Sequence, residues 1–261
     1  MSHLHFPDGV LPWWLIACGW VVTGALLLLV SRQLSEEEQR RRLPLLGVMA
    51  AFMLVGMSTE IVPVAYHVNL TVLAGIVLGP GLGLLAAFVV NLILAFFGHG
   101  GLTVVGLNTL IIGAECALGS YLFRWLFWGL LRNNRWVGLS AGVVTVVTLL
   151  ISTTLLVSVV GASRVDWASA REMGALDTAT FAFVDPFHEG IVASRLLAPE
   201  VHQEGEKAGL SLGFADFVKA VVILGAFGWA LEALVTGIIV SLLWRLRPGL
   251  VATHRAQVSL Y

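Results

Sequence analysis

The chain has 261 residues, of which 58% are hydrophobic and only 12% charged, with a formal net charge of −1. Soluble domains carry about 25% charged residues, so the composition excludes an ordinary soluble enzyme or binding module and implies a polytopic, all-α integral membrane protein. No basic patch interleaved with aromatics points to nucleic acid as a partner.

The first ten residues carry His3 and His5 beside an amino terminus at Met1-Ser2, followed by the turn Pro7-Asp8-Gly9. An amine, two imidazoles and deprotonatable backbone amides form a nitrogen-rich ligand set. Such a set suits a square-planar divalent ion, Ni(II) or Cu(II), with Co(II) also fitting. The alternative is a frayed terminus with two solvated histidines. Asp8 fixes the turn through bonds to its own backbone. With no basic leader, and an apolar run too long for a signal peptide, the first hydrophobic stretch reads as a retained span.

That span is expected from about Leu11 to Ser31, with Pro12 at its start and Trp13 and Trp14 at a membrane interface. Arg32 to Arg42 reads as a charged, solvated loop. The second span is expected from Pro44 to about Val64, ended by Pro63, with Glu60 near its far end and His67 in the polar break beyond. Gly47 and Ala51 form a small-xxx-small pair suited to close approach by a partner helix. Between Leu70 and Phe97, Gly79-Pro80-Gly81 either interrupts one long helix or splits the region into two short membrane segments. Short, interrupted segments are tolerated where protein covers them, and in transporters they often mark the binding site. Further spans are expected from about Leu102 to Leu131, containing Asn108 and Glu115, from Trp136 to about Val160, and from Phe217 to Trp244, containing Glu232. Residues 161–216 form an outer polar loop holding His188 and His202. Cys18 and Cys116 lie in apolar runs and read as core residues, not a disulfide pair. The whole chain reads as one membrane domain, 1–261, with residues 1–10 as its metal-binding segment.

The arginines choose between the two readings of the Gly79 region. If it splits, there are about seven membrane segments, and Arg32, Arg40, Arg41, Arg42, Arg124, Arg132, Arg135, Arg245, Arg247 and Arg255 share one side. The positive-inside rule makes that side cytoplasmic and the N-terminus external. His67, His99 and the long loop then share the outer side with the N-terminal histidines.

Several stretches resemble one family: His5-Phe6-Pro7-Asp8-Gly9, the break with His67, Leu78-Gly79-Pro80, Phe97-Gly98-His99-Gly100-Gly101-Leu102, Gly106-Leu107-Asn108 and Glu232-Ala233-Leu234-Val235-Thr236-Gly237. These resemble the substrate-capture (S) component of cobalt/nickel energy-coupling factor transporters, the CbiM/NikM family, over most of residues 5 to 160 and the last span. The resemblance implies that the amino terminus tucks into the bundle. There the terminal amine, the amide and imidazole of the turn-adjacent His5, and His67 bind nickel or cobalt. It also implies a transmembrane T subunit, cytoplasmic ATPases and a bacterial or archaeal inner membrane, with a small accessory membrane subunit as a further partner or the long outer loop in its place. No GxxxxGK[ST] loop is present, so the chain is expected not to be an enzyme and any ATP hydrolysis belongs to partners. The chain departs from the pattern in three places. Met1-Ser2-His3-Leu4 precede His5, Ile111 stands where a second asparagine is expected, and the outer loop is long. If Met1 is removed, Ser2-His3 reproduces the amine–amide–imidazole set; if translation starts at the Leu4 codon, His5 does.

His67, opposite the N-terminal histidines, is the best second ligand, because intramembrane ionisable residues are functional by default. His99 is either a third ligand or part of a glycine turn packed over the site. Glu60 is placed to neutralise an incoming cation, whereas Glu115 and Glu232 read as helix-to-helix hydrogen-bonding groups. Two other functions fit the sequence: a metal-free membrane scaffold, and a self-sufficient secondary metal transporter.

Overall fold

The computed structural model describes residues 11–34, 36–58, 60–61, 66–97, 101–131, 134–162, 176–177, 182–183 and 214–252. Met1, Ser2, His3, His5, Asp8, Gly9, His99, His188 and His202 lie outside the described residues.

Among the described residues seven helices form the membrane body: α1 (Trp13–Gln33), α2 (Glu36–Ser58), α3 (Thr71–Leu78), α4 (Pro80–Phe96), α5 (Val105–Phe123), α6 (Val137–Ala162) and α7 (Phe214–Leu246), with a short α8 (Pro248–Ala252) after them. Among the described residues four stretches are long and apolar enough to cross a bilayer by themselves: Trp13–Gln33, Val105–Phe127, Val137–Leu155 and Gly225–Leu246. The only extended pieces among the described residues are two-residue antiparallel pairs, β1 (Glu60–Ile61) with β2 (Tyr66–His67), and β3 (Leu176–Asp177) with β4 (Ala182–Phe183).

α1 begins where Pro12 has no N–H to lose; the Pro12 carbonyl accepts from Leu15 and Ile16. Its buried residues are Gly19 and Thr23, so nearly all of its surface faces outward. Cys18 is exposed on that outward surface, not in the core, while Cys116 is fully buried. A lipid-facing helix can carry an apolar residue on any side, so apolarity alone does not imply burial within the protein.

α2 departs from the sequence reading at both ends. It starts at Glu36, inside the expected charged loop, carries Pro44 in its interior, and stops at Ser58. Glu and Arg are good helix formers, and the acidic Glu37 in the first turn complements the positive end of the helix dipole. Glu60 is therefore in β1 rather than at the end of a helix.

The Gly79 break splits α3 from α4 as the arginine distribution requires. Gly79 adopts φ 83, ψ 175, a conformation essentially restricted to glycine, and Pro80 then opens α4 at its first turn. α5 is the hub, buried along most of its length and packed against α1, α3, α4 and α6. Its C-terminal end runs on as a π-helical stretch, Arg124–Leu131. α6 and α7 pair closely. A Cβ added to Gly138 would lie 2.8 Å from the Gly237 carbonyl oxygen, and the reverse substitution meets the Gly138 carbonyl at the same distance.

One end of the bundle gathers Arg42, Arg124 and Arg245. The Gly79 turn lies beside the Arg124 guanidinium, Gly81 beside Val30 at the end of α1, and Arg42 within electrostatic range of Arg124. The Phe127 and Trp244 rings, 5.2 Å apart, bring the end of α7 and its Arg245 to the same place. By the positive-inside rule this end is cytoplasmic, and α1 starts outside.

Candidate metal centre

Between α2 and α3 the chain descends into the bundle. β1 and β2 pair with Glu60 directly opposite His67. Val68 then passes so close to Gly56 of α2 that an added Cβ there would overlap the Val68 carbonyl oxygen. Asn69 is fully buried, and Leu70, at φ 57 and ψ 16, is left-handed. A non-glycine residue in that region costs roughly 1–2 kcal/mol, so surrounding contacts must hold the turn.

Two carboxylates from distant helices supply those contacts. The backbone N–H of Asn69 donates to Glu232 Oε1 of α7 at 3.0 Å. The Asn69 side-chain Nδ2 donates to Glu115 Oε2 of α5 at 2.8 Å and to Thr71 Oγ1 at 3.0 Å. Thr71 Oγ1 donates to Glu115 Oε2 at 2.7 Å, and Ser152 of α6 donates to Glu115 Oε1. Glu115 and Glu232 are 0% and 1% exposed. Charged side chains at such depth are costly unless paired or hydrogen-bonded, and these are bonded. The Asn69 side-chain oxygen is buried with no partner among the described residues.

The network also fixes a depth. Glu115 lies ten residues into α5, which is about 15 Å at 1.5 Å per residue, near the middle of a ~30 Å hydrocarbon core. The loop after His67 therefore reaches the centre of the membrane, and α3 covers the remaining half. His67, two residues before Asn69, is at most about 7 Å from it along the chain. Non-helical backbone at this depth is tolerated because α2, α5 and α7 surround it.

At the start of α5, Asn108 is buried in the first turn. Gly106 sits against the backbone of Gly19 and Trp20, Thr23 donates to the Gly106 carbonyl at 2.7 Å, and Trp20 Nε1 donates to the Thr103 carbonyl at 2.6 Å. α1 is thereby tied to the outer end of α5. Gly47 and Ala51 are both exposed on α2. Among the described residues no three His, Cys, Asp or Glu side chains gather to hold a metal.

The sequence reading placed Glu115 correctly as an interhelical hydrogen-bonding group. It gave the same role to Glu232, which accepts a loop backbone N–H, and it missed Asn69, Thr71 and Ser152 as one network. The available signal was the pair of polar residues, Asn69 and Thr71, just before and at the start of an otherwise apolar helix.

The fold and this buried loop define a polytopic α-helical membrane protein with an irregular, protein-covered segment at mid-depth, the architecture of a membrane transport component. Residues 5–250 match the family described as cobalt uptake substrate-specific transmembrane region, CbiM. The chain belongs to that family and is a membrane component for metal uptake. It is 33% identical over 150 residues to a protein of Haemophilus influenzae named for metal transport, spanning 55% of this chain and 69% of that protein. A protein of Haloquadratum walsbyi, likewise named for metal transport, is 36% identical over 126 residues, spanning 46% of this chain and 58% of that one. Two crystal structures of transition metal transporters, one truncated, share the fold with TM-scores of 0.65. Their identities are 17% and 16%, over 93% of this chain and 99% and 93% of theirs.

Proposed function

We propose that this chain is the substrate-capture component of an energy-coupling factor transporter and takes up Ni2+ or Co2+. The observation that supports this reading is the position of His67, on a strand that leads directly into a turn anchored at mid-membrane. A histidine carried on backbone held in this way suits metal capture. The remaining donors come from the amino terminus: the terminal amine with the amide and imidazole of His5, or of His3 if the mature chain begins at Ser2. Asp8 and Gly9 shape the N-terminal turn, and His99 and Asn108 shape the surroundings of the site. Glu60, opposite His67 in the strand register, draws the cation in.

The chain itself hydrolyses no ATP in this reading. A transmembrane T subunit and cytoplasmic ATPase subunits in a bacterial or archaeal inner membrane supply the energy, with Gly47 and Ala51 as the contact for the T subunit. A small accessory membrane subunit joins them, or the long outer loop takes its place.

Metal analysis of the purified chain, intact-protein mass spectrometry of its terminus, and Ni2+ and Co2+ titrations of His3→Ala, His5→Ala and His67→Ala test the reading. His67→Ala and one of the two N-terminal variants should lose metal. Full occupancy in His67→Ala would reject the site, and no metal in the wild-type chain would favour the scaffold alternative. Uptake by the chain alone, driven by an ion gradient, would favour a secondary transporter.

A further inference from the structure

The two buried carboxylates do more than join helices. They approach one loop residue, Asn69, from two sides: Glu232 holds its backbone N–H and Glu115 its side-chain amide. Leu70 beside it is left-handed, a conformation a free loop would relax out of. The next turn is locked as well, because Leu70 is the N-cap of α3 and its carbonyl accepts from Ala74 at 2.9 Å. On the other flank, Val68 is wedged against Gly56. The path from β2 into α3 is thus held at every residue from 68 to 71.

We propose that Glu115 and Glu232 are positioning residues for metal capture, clamping Asn69 so that His67, two residues earlier, is presented at a fixed depth and angle. The proposal rests on the reading of His67 as a ligand. Its physical basis is that a ligand's affinity for a metal with strict geometry depends on how well its backbone is held. Loss of a group that orients a ligand typically costs about 10–100-fold in affinity. Neither carboxylate has to touch the metal. The two arms differ in kind. Glu232 acts on a main-chain N–H that any residue but proline at position 69 would offer, whereas Glu115 reaches the loop through the side chains of Asn69 and Thr71.

This difference makes the clamp testable against a merely structural role. The full-length chain in detergent is titrated with Ni2+, following affinity, the visible d–d absorption band and the melting temperature. The variants are Glu232→Gln, Glu232→Ala, Asn69→Ala and Val240→Ala, the last a core truncation outside the network. Glu232→Gln keeps an oxygen that can accept from Asn69 and should bind like the wild type. Glu232→Ala and Asn69→Ala should each weaken Ni2+ binding by about tenfold or more and shift or broaden the band. Val240→Ala should lower the melting temperature with affinity and band unchanged. If Glu232→Ala does not fold, Asn69→Ala carries the same test through the Glu115 arm. Wild-type affinity and band in a folded Glu232→Ala or Asn69→Ala protein would overturn the clamp, as would an equal affinity loss in Val240→Ala at equal destabilisation. If the wild type binds and His67→Ala does not, these outcomes leave the functional reading standing. A wild-type chain that binds no metal, or a His67→Ala chain that binds fully, would overturn both.

Discussion

Gly75 of α3 lies directly against Cys116 of α5. A Cβ added to Gly75 would sit 2.7 Å from the Cys116 carbonyl carbon and 2.8 Å from its Cα, overlapping the carbonyl oxygen. The obstacle is helix backbone and cannot rotate away. Gly75→Ala should therefore destabilise the bundle even though alanine is the better helix former by roughly 0.5–1 kcal/mol. Overpacking costs about 1–3 kcal/mol, so the net effect is a loss. A lower melting temperature in detergent is the expected measurement, and an unchanged or raised one would contradict this packing.

The topology predicts which loops are reachable from each side. Phe97, exposed at the end of α4, should be external, and Arg135, exposed after α5, should be internal. In a Cys18→Ser background, an impermeant maleimide applied to intact cells should label Phe97→Cys and spare Arg135→Cys until the membrane is opened. External labelling at Arg135→Cys would invert the orientation and move the proposed site to the cytoplasmic side.

Gly47 is exposed on α2, and an added Cβ there meets nothing within 4 Å. Gly47→Leu should accordingly leave folding and metal binding intact. It should weaken co-purification with the T subunit if that helix packs on the Gly47–Ala51 face. Unaltered co-purification would remove this face from the interface.

The proposed donors are an amine, an amide nitrogen and imidazoles, all of which must be deprotonated to bind. Protons therefore compete as pH falls, and affinity should drop through the range of an unperturbed α-amine, about 7.7–8.0, and of histidine, about 6.5. Ni2+ titrations from about pH 8 to about pH 5.5 should show this fall. A flat profile would exclude the amine–imidazole set.

The amino-acid sequence alone determined the all-α membrane class, the split at Gly79 and the side on which the arginines lie. These follow from sums over short windows or from single residues. Hydropathy adds along a span, Gly79-Pro80 interrupts a helix whatever surrounds it, and charge asymmetry depends only on segment parity. The start of α2 was misread because Glu36 to Arg42 carries charges typical of a loop, although the same residues form good helix when they extend from a membrane span into water. Only the tertiary structure decided that Glu115 and Glu232 meet at Asn69, 46 and 163 positions away in sequence. An apolar membrane helix presents apolar residues on every side, so its sequence says little about its rotation or about which polar group its one acid will face. That depends on helix packing, and here close contacts such as Gly75 on Cys116 and Gly138 on Gly237 set it.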